Sequence, residues 1–338
     1  MSMEDTHVSL AHGNGGRYMR ELIAEVFARH LANPYLHTDT DAAILPWDGS
    51  AGELAFTTDS FTVQPIEFPG GNIGSLAVHG TTNDLAVAGA IPKYLSLGVL
   101  LEEGLEFAVL ERIVAGIAEA ARETGVVVAA GDTKVVRRGE GGGIYLNTSG
   151  IGVKDPALKL GIDRIRAGDA ILVSGPIGDH GIAVMLAREQ FGLRGDVRSD
   201  AASVLPITRE LAKLPGLRFM RDPTRGGLAT VAHEIVLGSG CGLVLEESRV
   251  PVRDAVRSVC EMLGYDPYYL ACEGRVVAVV AEEDAERALE SLRRLPSGEG
   301  AQLIGRMQDR PRRVVLRTTV GGERVLEELE DDPLPRIC

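Results

Sequence analysis

Strand-like segments at 126–130, 144–153 and 170–173 follow one another with no helical pattern between them, although strands and helices alternate elsewhere. This order constrains the fold more than any other feature. Neighbouring parallel strands need a crossover of a dozen residues or more, usually a helix, whereas consecutive strands pair through short turns. An α+β fold with mixed sheets is therefore expected rather than a doubly wound nucleotide fold. Further strands are expected at 53–58, 93–101, 217–220, 242–245, 276–281 and 313–317. Helices are expected at 18–30, 73–89, 107–124, 180–190, 203–213, 227–237, 253–263 and 285–295. In 107–124, Leu110, Ile113, Val114, Ile117, Ala118 and Ala121 recur at helical spacing, and Gly125 supplies the stop. The segment 73–89 is built from unusually small residues, so a neighbouring backbone can come close to it.

A chain of 338 residues with 45% hydrophobic content carries enough core for two domains. The boundary is expected within KDPALKLGID (154–163), where Pro156 interrupts the pattern. This gives domains at 1–155 and 156–325 and a tail at 326–338. In the tail Glu327, Glu328, Glu330, Asp331 and Asp332 precede Pro333 and Pro335, a composition that resists burial. From Asp331 an extended chain would carry the terminal Cys338 roughly 25 Å. Forty-eight acidic against 35 basic residues, a net charge of −13, argue against a nucleic-acid surface. The four cysteines show neither CxxC nor zinc spacing, and Cys241 and Cys260 lie in apolar stretches that suit a core. The N-terminus has no secretory pattern, and no apolar run reaches the ~18 residues of a membrane span. The plain expectation is a reduced cytoplasmic protein.

Aspartates recur where apolar strands or close-packed helices end: Asp59 in AFTTDSF, Asp84 in GTTNDLA, Asp132 in VVVAAGDTKVV and Asp222 in RFMRDPTRGG. Aspartate is depleted in strands, so four such placements suggest convergence on one cleft, with hard oxygen donors suited to Mg²⁺. The glycine loop His12-Gly13-Asn14-Gly15-Gly16 runs into a helix, and Thr224-Arg225-Gly226-Gly227 repeats that logic; each offers backbone N–H groups to phosphate. Lys134 could neutralise a transferring phosphoryl group. Glu273, between an apolar stretch and a strand, could be a base of raised pKa. His180, opening a helix, reads better as a packing residue. The sequence contains neither GxGxxG at a strand-to-helix turn nor GxxxxGK[ST].

The motifs AHGNGG (11–16), TTDS (57–60), PGGNIG (69–74), NDLAVAGA (83–90), GDTKVV (131–136), SGPIGDHG (174–181), RDPTRGG (221–227), EG (273–274) and PRIC (335–338) span the chain. In identity and order they resemble those of the HypE family of hydrogenase maturation proteins. The wider likeness is to the PurM-like superfamily of aminoimidazole ribonucleotide synthetase, selenide water dikinase and thiamine-monophosphate kinase. The resemblance implies a first domain that helps form a dimer β-barrel, a second domain that is an α+β sandwich, and an ATP·Mg²⁺ site between them. It places the nucleotide on His12 to Gly16, Asp59, Asn83, Asp84, Asp132, Asp222 and Thr224, with Asp59, Asp84, Asp132 and Asp222 as metal ligands. Cys338 would be the carrier thiol. A HypF-type carbamoyltransferase would load it, and ATP would drive dehydration of the S-carbamoyl group to a thiocyanate. The cyano group would pass to iron on a HypC–HypD scaffold. Lys134 and Arg225 would steady the transferring phosphoryl, and Glu273, helped or replaced by Asp84, would be the base. Two other classes stand beside this: a superfamily kinase or synthetase acting on a diffusible small molecule, and a nucleotide-gated scaffold without turnover. Selenide water dikinase would want Cys or selenocysteine where His12 stands.

Overall fold

The structure is a computed structural model that describes residues 16–22, 24, 43–46, 52–188 and 196–330. His12, Gly13, Asn14, Gly15 and Cys338 therefore lie outside the described residues, as does most of the expected helix at 18–30. After a short helix α1 (Arg17–Leu22), the first part of the chain builds a five-stranded sheet in the order β1-β2-β7-β5-β6. Its strands are β1 (Ala43–Pro46), β2 (Glu53–Phe61), β5 (Ala90–Glu102), β6 (Val127–Val136) and β7 (Ile144–Lys154), with a small hairpin, β3 (Glu67–Phe68) and β4 (Gly71–Asn72), set apart. Every pairing in the five-stranded sheet is antiparallel except β5 with β6, so the sheet is mixed as expected. Its edges, β1 and β6, do not meet among the described residues.

One face of this sheet is covered by α2 (Ile73–Val87), which also packs on α3 (Phe107–Thr124). Asn72 starts α2 by accepting hydrogen bonds from the Gly74 and Ser75 N–H groups, while the Ser75 hydroxyl contacts the Asn72 backbone N–H in return. Small residues let the helices approach. A Cβ on Gly74 would lie 2.3 Å from the Ile113 carbonyl oxygen, and one on Gly80 would lie 2.9 Å from the Phe61 ring. Phe61, Ile73, Leu76, Leu95, Ile113 and Leu146 fill the space between helices and sheet. The other face of the sheet carries an open apolar row. Phe56 pairs with Ile151, Ile151 with Tyr94, and Tyr94 with Val127, and all four are at least 37% exposed.

The second part forms a seven-stranded sheet, β14-β13-β10-β12-β8-β11-β9, in which only β10 with β13 is parallel. Its strands are β8 (Ala170–Val173), β9 (Leu217–Arg221), β10 (Gly242–Glu246), β11 (Val277–Val280), β12 (Gln302–Gln308), β13 (Val314–Arg317) and β14 (Glu323–Val325). Its helices are α4 (Asp179–Ala187), α5 (Leu205–Leu211), α6 (Gly227–Ser239), α7 (Asp254–Leu263) and α8 (Ala285–Arg293). Two buried apolar clusters, one containing Leu228, Ile235 and Val279 and the other Ile207, Leu211 and Leu289, are built partly from residues of this sheet. Cys260 is buried and Cys241 is partly buried against a core, as expected.

Three expectations need correction. The central strand β12 escaped the sequence pattern because Gly305 reads as a breaker. It sits instead at a register shift, where a Cβ would lie 2.2 Å from the Val244 carbonyl oxygen. Asp132 does not end a strand, because β6 continues through Lys134 to Val136 in parallel register with β5. The tail does not begin at residue 326. Leu326 and Leu329 are buried, Leu326 N–H donates to the Val314 carbonyl, and His233 and Tyr269 bond the carbonyls of Leu326 and Glu327 at 2.8 and 2.7 Å. Residues 326–330 are thus part of the fold, and Leu329 packs on Gly226.

Candidate functional site

Two segments of the first sheet unit meet three of the second around a group of carboxylates. Asp59 lies on β2 and Asp84 in the last turn of α2. Asp222 directly follows β9, and Thr224-Arg225-Gly226 leads into α6. Glu273 lies in the turn before β11. Asp84 accepts from the Thr57 hydroxyl at 3.0 Å, and it lies close enough to Asp59 to influence its ionisation.

The electrostatics tie these residues together. Burial raises the Asp59 pKa, opposed by the Asp84 hydrogen bond and by Arg225. Burial, with Asp59 and Glu234 adding to it, pushes Asp222 up to about 6 against the pull of Arg221. Glu273 is pushed well above the usual carboxylate range, first by burial and then by Asp222, Asp200 and Asp59, with Arg225 opposing. Like charges in a desolvated place disfavour ionisation, and groups perturbed in this way cluster at functional sites.

The remaining expected residues divide. Asn83 is buried, and its amide is engaged by the protein. It donates to the carbonyls of Glu273 (3.1 Å) and Ala202 (3.0 Å) and accepts from the Val204 N–H (2.9 Å). It therefore joins α2 to two segments of the second unit, and its contacts are to protein backbone. Asp132 and Lys134 lie on the edge strand β6, opposite Gly98 and Leu100, and Lys134 is exposed. Thr224 is half-buried, and its carbonyl accepts the Gly227 N–H. Gly226 and Gly227 both have positive φ, and a Cβ on Gly227 would lie 2.5 Å from the Leu270 carbonyl oxygen. These glycines are thus required by packing as well as suited to phosphate. Gly16 is buried at the start of α1, where Arg17 N–H donates to the Leu329 carbonyl. His180 packs, as expected: it is fully buried, bonds Ser199 Oγ at 2.8 Å and meets the Phe68 ring edge-on.

Sequence reasoning missed Asp200, Arg275, Asp179 and Arg253. Arg275 lies 3.3 Å from Asp200 and 3.6 Å from Asp179, and Arg253 lies 2.9 Å from Asp179. Asp200 sits in irregular backbone with no periodicity to mark it, and the one signal was a basic residue two places after Glu273. Among the described residues no three His, Cys, Asp or Glu side chains form a ready metal cage.

Residues 39–154 match the family model for the N-terminal domain of AIR synthase related proteins, and residues 166–317 match that for the C-terminal domain. The carbamoyl dehydratase HypE of Azotobacter vinelandii is 46% identical over 340 residues, covering 100% of this chain and 99% of the relative. The chain belongs to the HypE family. Within it, a crystal structure of a HypE-HypF complex contains a chain 43% identical, with a TM-score of 0.86 over 91% of this chain and 99% of that one. A HypE solved in complex with ATP is 47% identical, with a TM-score of 0.81 over 98% of this chain and 100% of its own. The family therefore shares the two-domain α+β architecture with mixed sheets seen here.

Proposed function

We propose that this protein is an ATP-dependent carbamoyl dehydratase of hydrogenase maturation, acting on an S-carbamoyl group carried by its own Cys338. The observation that carries this reading is the buried Glu273 of strongly raised pKa, set among Asp59, Asp222 and Asp200 with Arg225 opposite in charge. The relative named as a carbamoyl dehydratase and the HypE solved with ATP support it.

An amide oxygen is a poor leaving group, so the reaction makes it leave as phosphate. The amide oxygen attacks the γ-phosphorus of ATP. The bond to ADP breaks, and one N–H proton is lost, giving an O-phospho-isoimidate. Loss of the second N–H proton with departure of phosphate leaves a thiocyanate on sulfur. Arg225 and Lys134 stabilise the charge on the transferring group. Glu273 takes the proton from nitrogen. Its raised pKa makes its ionised form a stronger acceptor than a surface glutamate. Backbone N–H groups at Gly16 and at Thr224 to Gly226, with the His12 to Gly15 loop, hold the phosphates.

Magnesium fits this donor set. Burial raises the Asp59 pKa, a cost that a bound cation would offset, and Mg²⁺ is ordinarily held by one or two carboxylates plus nucleotide phosphates. Asp59, Asp84, Asp132 and Asp222 would hold it, and it would neutralise triphosphate charge.

A HypF-type carbamoyltransferase loads the thiol, in keeping with the solved HypE-HypF complex, and a HypC–HypD scaffold receives the cyano group. The protein works in the cytoplasm, in keeping with its unpaired Cys241, Cys260 and Cys272 and with the absence, among the described residues, of a helix able to cross a membrane. It is a homodimer. The open row Phe56, Ile151, Tyr94 and Val127 offers an apolar sheet face that a second copy would cover, closing a barrel across the two-fold axis.

Intact mass spectrometry tests the central reading. The protein carbamoylated on Cys338 should lose the mass of one water when ATP and Mg²⁺ are added. Persistence of the carbamoyl adduct while ATP is consumed would refute it.

A further inference from the structure

The strongest unassigned feature is the carboxylate of Asp200. Its side chain is 1% exposed and makes no use of solvent. One oxygen accepts the backbone N–H of Glu273 at 3.2 Å, the other that of Gly274 at 3.3 Å. The same group pairs with Arg275, whose Nε lies 3.3 Å away and also donates to the Pro176 carbonyl at 2.9 Å. Three consecutive residues of the Glu273-Gly274-Arg275 turn are thus gripped by one carboxylate. The fit is tight: a Cβ on Gly274 would lie 1.9 Å from the Asp200 carbonyl oxygen. From the other side, Asn83 holds the Glu273 carbonyl.

The arrangement exceeds what folding the turn requires. A backbone turn can satisfy its N–H groups with water or a neutral acceptor, whereas a buried carboxylate carries a large desolvation penalty. Here a buried acid stands beside another that is already burdened by Asp59 and Asp222. A carboxylate accepting two adjacent N–H groups fixes the peptide planes on either side of the Glu273 Cα, and so the direction in which that side chain leaves the backbone.

We propose that Asp200 is a positioning residue for the dehydration, holding the Glu273 turn so that its carboxyl is presented to the S-carbamoyl nitrogen, with Arg275 holding Asp200 in place. This rests on the reading of Glu273 as the base. Asp200 touches neither nucleotide nor substrate in this scheme, so its loss should slow proton removal while leaving ATP affinity unchanged.

The experiment uses the full-length carbamoylated protein. Single-turnover water loss is followed by mass spectrometry, alongside ATP affinity and thermal unfolding, for Asp200→Ala, Asp200→Asn and Glu273→Gln. Expected are a 10- to 100-fold slower dehydration for Asp200→Ala, the range typical of groups that orient a reacting residue. Asp200→Asn, which keeps one acceptor, should recover part of that rate, and ATP affinity should stay within about twofold in both. Unchanged dehydration in both Asp200 variants, with Glu273→Gln inactive, would overturn the proposal. So would a loss of ATP affinity parallel to the loss of rate, which would make Asp200 a general structural support. A fully active Glu273→Gln would instead remove the base assignment on which the proposal rests. Should Asp200→Ala not fold, Asp200→Asn alone decides by the same comparison.

Discussion

Replacing Asp222 with Asn should make the free protein more stable and disable it. Asp222 is 5% exposed, and its pKa rises from 3.8 to about 6 on folding, with burial the largest cause. A carboxyl with a raised folded pKa binds its proton more tightly in the native state. Its contribution is therefore most favourable below 3.8 and is lost as pH rises from 3.8 through 6. A rise of about two pKa units corresponds to about 3 kcal/mol, a figure that already includes the attraction of Arg221. Asn imitates the protonated acid and does not titrate. The variant should exceed the wild type by about 1 kcal/mol at pH 4.5 and by about 3 kcal/mol at pH 7.5. Urea unfolding followed by circular dichroism, with chelator and without nucleotide, gives the difference curve, in which other titrating groups cancel. Adding ATP with Mg²⁺ should all but remove the difference at pH 7.5 and reverse the order at pH 4.5. Ligand at about 100 times its dissociation constant stabilises by about 2.7 kcal/mol, which the wild type should gain and the variant should not. A difference that is flat between pH 4.5 and 7.5 would refute the reasoning, because it would mean that Asp222 is not desolvated by the fold. Undiminished dehydration by the variant would remove Asp222 from the site.

Burial lowers the His180 pKa to about 4, so stability should fall as pH drops from 6.5 towards 4, where the unfolded chain takes up the proton first; His180→Gln should abolish about 3 kcal/mol of that loss in acid denaturation. Gly74→Ala gains helix propensity but brings a Cβ to 2.3 Å from the Ile113 carbonyl oxygen, so it should destabilise by about 1–3 kcal/mol, read as a lower melting temperature; a neutral result would mean that α2 and α3 are not held this closely. Ile151→Lys puts a charge into the open apolar row and should yield monomers by light scattering at micromolar concentration, whereas an intact dimer would place the interface elsewhere.

Much of this fold could be read from local pattern, because the residues responsible are close in sequence. The helix at 107–124 coincides with its prediction, and α2 ends two residues before the predicted stop at Gly89. The failures are of another kind. Gly305 breaks a local pattern because the constraint on it is the Val244 backbone of a neighbouring strand. The root of the tail carries the polar composition of a free segment, yet two leucines and three backbone carbonyls bind it to His233, Tyr269 and Arg17. Composition registers the average residue, whereas docking here depends on Leu326 and Leu329.

The site divides along the same line. Asp59, Asp84, Asp222 and Glu273 could be named because an acid beside an apolar segment is locally anomalous, and a local anomaly is visible in one sequence. Asp200 and Asn83 could not be assigned their roles, because those roles are defined by partners 73 and 190 residues away. Both grip the backbone of the Glu273 turn, Asp200 by its N–H groups and Asn83 by its carbonyl. An acid whose pKa is raised first by burial and then by neighbouring carboxylates would relax if its backbone could shift by an ångström. The raised pKa of Glu273 and the two clamps on its turn are therefore one feature: the electrostatic tension persists because the clamps leave the turn no room to release it.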